Sequence, residues 1–123
     1  MLLTAANRPE EAIRAVKTAS RLDPTRPEFY AYFIASPYVL MGHYQEAIPL
    51  LEEHIAAYPN QPFGHIMLVV AYTEVGRDQD ARSEATSIMQ QNPRFAVSDV
   101  AQISRDPAMN RLVVNDLRKA GLK

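Results

Sequence analysis

Apolar positions along the chain recur at helical spacing. Ile34, Tyr38, Leu51 and Ile55 are spaced for one face of each of two successive helices, and Leu68, Tyr72, Ile88 and Met89 are placed the same way in the next pair. Met109, Leu112, Val113, Leu117 and Ala120 form a further stripe near the end. Asp23-Pro24, Tyr58-Pro59 and Asn92-Pro93 each close one of these patterns, because the residue before a proline is pushed out of the helical region. The pattern predicts helices throughout. One covers Pro9 to Leu22 and a shorter one Phe95 to Ile103. The last opens at Asp106-Pro107, an N-cap followed by proline in the first turn, and is finished by Arg118, Lys119 and Gly121.

The helices repeat. NRPEEAI (7–13), GHYQEAI (42–48) and GRDQDAR (76–82) stand 35 and 34 residues apart, and Ala12, Ala47 and Ala81 keep the same intervals. So do the closing prolines, with 59 − 24 = 35 and 93 − 59 = 34. Each recurring residue has a mechanical reason. Gly42 and Gly76 follow a first helix where a left-handed backbone would end it. Ala47 and Ala81 lie one turn into the second helix, where a small side chain lets paired helices approach closely.

A period of 34 with helix, turn and helix in each unit resembles the tetratricopeptide repeat family. Counted from Glu28, Tyr38, Gly42, Tyr44, Ala47, Leu51 and Pro59 fall on signature places, as do Leu68, Tyr72, Gly76, Ala81 and Pro93 in the following unit. The resemblance implies an all-α fold, a short right-handed helical-hairpin solenoid of about two and a half repeats with a C-terminal capping helix. The expected organisation is one domain over 1–123: a partial first repeat (1–26), two repeats (27–61 and 62–94) and capping helices (95–123). MLLTAA reads as the tail of a first helix, so the array is short on that side; the expectation is a piece of a longer protein, or a second subunit over the gap.

Some residues depart from the family pattern. Asp78 replaces an aromatic, Val69 a smaller residue and His54 an alanine, so packing must adjust there. Pro37 falls inside a predicted helix, where the lost donor and a clash with the Phe33 carbonyl predict a bend. Pro49, early in the next helix, should disturb less.

Composition narrows the function classes. With 47% apolar residues the chain can bury a core. Thirteen basic and fourteen acidic residues leave a net charge of −1 with no Lys/Arg cluster, which disfavours nucleic acid and anionic membrane as partners. The absence of cysteine rules out a disulfide framework, a thiolate metal site and a cysteine nucleophile. No apolar run approaches the ~20 residues of a membrane span, and the start lacks a signal peptide's basic region. A cytoplasmic protein is expected.

A narrower resemblance spans nearly the whole chain. DPTRPEFYAYFIASPYVLMGHYQEAI, the later repeat, and above all the closing DPAMNRLVVNDLRKAGL look like the repeat region ending bacterial class III adenylate/guanylate cyclase-like proteins and some winged-helix regulators. It implies an accessory or regulatory region with no catalytic residues to carry over.

Candidate chemistry is sparse. His43, His54 and His65 recur every eleven residues but lack a metal-binding i, i+4 pairing, so packed or turn roles are expected and no metal. Glu52-Glu53 and the set Asp99, Asp106 and Asp116 read as solvated helix-surface carboxylates. Four glycines form no phosphate loop. The expectation is no enzyme, no catalytic residue and no cofactor.

Binding is the better candidate. The repeat resemblance places the concave face at Phe29, Tyr32, Phe33, Ser36 and Val39 in one unit, and Phe63, Ile66, Met67, Val70 and Thr73 in the next. This groove is apolar and aromatic. Relatives that grip an acidic peptide end use Lys and Asn where this chain has Tyr32, Ile66, Ser36 and Val70, so that activity should be missing. The implied role is a scaffold for a protein or peptide partner, or a homodimer through the N-terminal edge or the groove, unless the last helix or further repeats cover the groove in cis.

Overall fold

Local signals end the helices where the sequence places them. Gly42 and Gly76 adopt left-handed backbone, φ 77° and 83°, and each closes a reciprocal pair of bonds over the preceding turn. His43 N–H donates to Tyr38 O at 2.8 Å and Gly42 N–H to Val39 O at 3.1 Å; Arg77 and Gly76 repeat this with Tyr72 and Thr73, at 2.8 and 3.1 Å. These bonds satisfy carbonyls that a helix end leaves without partners.

The computed structural model describes residues 9–25, 27–102 and 106–123. Among them every regular element is helical: α1 (Pro9–Leu22), α2 (Pro27–Leu40), α3 (Tyr44–Ala57), α4 (Pro62–Glu74), α5 (Asp78–Gln91), a 3₁₀ turn (Val97–Val100) and α6 (Pro107–Lys119). They form two compact units, Met1–Pro59 and Asn60–Lys123. The expected first-helix tail, MLLTAA, lies outside the described residues, as does the side chain of Ala12.

In the first unit α2 packs against both α1 and α3. Ala31, Ala35 and Val39 are buried at four-residue spacing along α2, and Ala47, Ile48 and Leu51 answer from α3. The loop between α1 and α2 is tied by Asp23, whose carboxylate accepts from the Thr25 hydroxyl at 2.6 Å and the Tyr30 hydroxyl at 3.3 Å. Neither internal proline ends its helix. α2 runs through Pro37 and α3 through Pro49, and beyond Pro37 the Met41 N–H donates to the Pro37 carbonyl at 3.0 Å.

In the second unit α4 pairs with α5 and also packs against α6, which in turn lies on the 3₁₀ turn. α4 is buried continuously from Gly64 to Thr73. Its sequence, PFGHIMLVVAYTE, is apolar on every side, and such a helix is stable only inside. α6 is amphipathic and buries Met109, Val113 and Leu117. Its start matches expectation, with the Asp106 carboxylate accepting from Ala108 N–H at 2.9 Å.

Two expectations require correction. The helix expected over Phe95 to Ile103 is a single 3₁₀ turn, with Ile103 outside the described residues. Ala96 is extended (φ −127°, ψ 144°); its N–H donates to the Asp99 carboxylate, and the Val97 N–H to the Lys123 carbonyl, both at 3.0 Å. That last bond joins residues distant in the chain and leaves no mark on local periodicity. On α5, Ala81, Ala85 and Ile88 define the buried face while Met89 is 37% exposed, because adjacent residues on a helix point about 100° apart.

Ala47 and Ala81 are enclosed, so Ala81→Leu should cost ~1–3 kcal/mol by overpacking. Nothing lies within 4 Å of a Cβ built on Gly76, so Gly76→Ala should cost only the ~1–2 kcal/mol of left-handed backbone. Urea denaturation should show both as lowered midpoints with unchanged slope.

Candidate functional site

The expected groove residues divide by burial. Val39, Ile66, Met67, Val70 and Thr73 are buried, Tyr32 and Ser36 half-buried, and Phe33 and Phe63 exposed at 45% and 47%. The side chain of Phe29 lies outside the described residues. Among the described side chains, the exposed part of the candidate surface therefore consists of two aromatic features, one in each unit.

In the first unit, α2 and α3 build an aromatic ledge. The Tyr32 ring meets Phe33 edge-on at 5.4 Å and 84° and lies 5.2 Å from the His54 ring, which in turn lies 5.3 Å from Tyr58. Edge-to-face and tilted contacts of this kind stabilise beyond area alone. The departure at His54 thus has a packing explanation: a flat ring fills space between two tyrosines. Burial raises the Tyr32 phenol above its ordinary value, opposed in part by its hydrogen bond with Ser36. Ser36 is further fixed by donating its hydroxyl to the Tyr32 carbonyl at 3.0 Å.

In the second unit, Phe63 stands at the start of α4 and lines an open cleft of about 420 Å³ with Ser98, Asp99, Val100, Ala101 and Gln102. Behind it, α4 carries two polar devices. His65 is buried and its Nδ1 lies 2.6 Å from Glu84 Oε2 on α5, while its Nε2 lies 3.5 Å from Gln91 Nε2. The contact clips α4 to α5. At the other end of α4, Asp116 of α6 is only 5% exposed. Its carboxyl group interacts with Glu74 of α4; burial first, then the hydrogen bond and repulsion from Glu74, push it up to about 8 against an opposing pull from Lys119. Asp116 Oδ2 and Thr73 Oγ1 are enclosed without hydrogen-bond partners among the described residues.

Sequence reasoning missed both devices. It treated Asp116 as a solvated carboxylate and passed over Glu84. One signal was available: Asp116 sits between Val113, Leu117 and Ala120 on the apolar stripe of α6. His65–Glu84 had no comparable signal, since 19 residues and a turn separate the pair. Among the described residues no group of three His, Cys, Asp or Glu side chains is arranged to hold a metal ion, and no helix is long and apolar enough to cross a membrane.

No family model matches the chain, and no curated protein matches it; the cyclase-like resemblance of the closing stretch has no counterpart in these comparisons. Among solved structures the chain is similar to MamA, in its RS-1 ArsTM double mutant. The TM-score is 0.65 at 14% sequence identity, covering 91% of this chain and 65% of that one. This chain therefore spans just under two thirds of that structure's length. At such identity the likeness shows the fold alone: an all-helical, tetratricopeptide-like helical-hairpin repeat.

Removing the Glu84 carboxylate takes from buried His65 the partner that lies 2.6 Å from its Nδ1. Glu84→Ala should destabilise by ~1–3 kcal/mol, and Glu84→Gln, which keeps a hydrogen-bonding group, by less. Paired thermal unfolding curves of the two variants check the order.

Proposed function

We propose that the chain is a non-catalytic protein–protein interaction scaffold, in which α2 and α4 offer aromatic side chains to a protein or peptide partner. The observation that carries this reading is the exposure of Phe33 and Phe63 on helices whose other described large apolar side chains are half-buried or buried. A lone exposed apolar residue is ordinary on a protein surface. Phe33, however, extends the aromatic ledge, and Phe63 lines an open cleft with a polar rim at Ser98, Asp99 and Gln102. Apolar centres with polar edges suit partner recognition.

The reading takes in the concave positions named from the sequence, Phe29, Tyr32, Phe33, Ser36 and Val39 with Phe63, Ile66, Met67, Val70 and Thr73, but gives their roles unequal weight. Tyr32 and Phe33 in one unit and Phe63 in the other supply contact. Val39, Ile66, Met67 and Val70 supply the rigid floor. The fold likeness supports a scaffold, and the near-neutral charge supports a protein partner over nucleic acid. A second copy of the chain is one such partner. The N-terminal edge considered for that contact falls on residues 1–8, outside those described.

Panning a random peptide library against the folded chain should yield aromatic- and aliphatic-rich binders. Phe33→Glu and Phe63→Glu should each weaken the binders seated on their own unit at least tenfold, ~1.4 kcal/mol, with little change in thermal stability because both side chains are half in solvent. Unchanged affinity in the double variant would remove the aromatic surface from consideration. Light scattering over a range of concentrations checks the second-copy arm: growth in mass that both substitutions abolish supports it, and a monomer throughout counts against it.

A further inference from the structure

The cleft beside Phe63 holds a single formal charge. Of its lining residues Phe63, Val100 and Ala101 are apolar, Ser98 and Gln102 are neutral, and Asp99 carries a carboxylate. That carboxylate is fixed in place. Its Oδ2 accepts from the Ala96 N–H at 3.0 Å while the Asp99 N–H donates to the Ala96 carbonyl at 2.9 Å. Buried Val97 and Val100 anchor the turn on either side. An ionised carboxylate has about four lone-pair positions. One donor leaves most of that accepting capacity on a side chain that is exposed.

Magnitudes decide which sign of charge the cleft takes. Phe63 is the second residue of α4, and a helix N-terminus carries about +0.5 of an elementary charge, which favours an anion. Asp99 brings a full negative charge to the same cleft, so a cation is favoured. The ring acts in the same direction, since an aromatic face attracts cations. Among cationic side chains a guanidinium is planar and weakly hydrated, so it can lie on a ring and fork onto a carboxylate together, whereas an ammonium is a strongly hydrated point charge. The second unit already builds this trio once. The Arg77 guanidinium lies 4.6 Å from the centre of the Tyr72 ring, and its Nε donates to Asp80 at 2.8 Å. Phe63 and Asp99 supply the ring and the carboxylate, and among the described residues no basic side chain is set against either.

We propose that the Phe63–Asp99 cleft is the seat of an arginine side chain from a protein or peptide partner, its guanidinium lying on the Phe63 ring and hydrogen-bonded to the Asp99 carboxylate. This names the partner chemistry for one of the two aromatic features of the proposed surface, and it rests on the scaffold reading for the partner's being a polypeptide. Size agrees. At about 420 Å³ the cleft stands near the lower end of the ~300–1,000 Å³ typical of small-ligand sites, room for a side chain and its neighbours rather than for a helix. Ser98 and Gln102 add neutral acceptors at the rim for the guanidinium's remaining N–H groups.

The test titrates the full chain with N-acetyl-arginine amide and with N-acetyl-citrulline amide, its uncharged isostere, and follows backbone amide shifts by NMR. No polypeptide partner is needed, so failure of the cleft chemistry is separable from failure of the scaffold reading. The arginine probe should move the amides of residues 63 and 98–102 saturably, and the citrulline probe should bind about threefold or more weaker. Asp99→Asn, which can still accept from Ala96 N–H, and Phe63→Leu, which keeps apolar bulk without the ring, should each weaken the arginine probe by a similar factor. Raising salt from ~0.1 M to ~1 M, which shortens the Debye length from ~10 Å to ~3 Å, should weaken the arginine probe alone. Equal binding of the two probes, or unchanged binding in Asp99→Asn, would overturn the proposal. Binding that appears only in Arg105→Gln would give the cleft to a side chain of this chain and overturn it as well. Library peptides that need Phe63 yet carry no arginine would sink it while leaving the scaffold reading in place.

Discussion

A helix apolar on every side cannot leave a face in water without losing most of its stabilisation. α4 is such a helix, with Gly64 to Thr73 buried in an unbroken run, and the second unit is organised by the need to enclose it. α5 takes one side through Ala81, Ala85 and Ile88. α6 takes another through Met109, Val113 and Leu117. At about 25 cal/mol per Å² of apolar surface removed from water, a helix of this composition stabilises the unit most by being enclosed from several directions at once.

That enclosure makes the two polar devices of α4 consequential. In the repeat register, 65 − 34 = 31 and 84 − 34 = 50, so the places of His65 and Glu84 are held in the first unit by Ala31 and Leu50. The place of His54 is held in the second by Ile88, since 54 + 34 = 88. Each unit thus keeps the backbone plan and carries its polar side chains elsewhere: an aromatic cluster about His54 in one, a buried histidine–glutamate contact and the buried Asp116 in the other. Character lies in the side chains set on the repeat, as is usual where one architecture serves many roles.

The arrangement of binding residues follows from the same enclosure. Apolar residues on α2 and α4 were the natural candidates for a groove, yet Ile66, Met67 and Val70 serve burial, while Phe33 and Phe63 keep a large apolar surface in solvent. Apolar character marks a position as wanting cover and does not say whether that cover comes from the same chain or another. The 3₁₀ turn and α6 supply part of it in cis, where the last stretch of chain lies against α4.

The sequence by itself determined what depends on near neighbours: the helical period, the stops at Pro59 and Pro93, the left-handed turns at Gly42 and Gly76, the small contacts at Ala47 and Ala81, and the start of α6 at Asp106-Pro107. Each is a local steric or hydrogen-bonding constraint, satisfied within a turn or two of helix, so the residue types reveal it. Only the tertiary structure decided what depends on which segments meet. It turned Met89 outward, shortened the expected helix after Phe95 to one turn held by the Lys123 carbonyl, paired His65 with Glu84, and placed Asp116 against Glu74 out of water. A carboxylate reads the same in a sequence whether its neighbours are water or another carboxylate, and the free energy of ionising it depends on that difference.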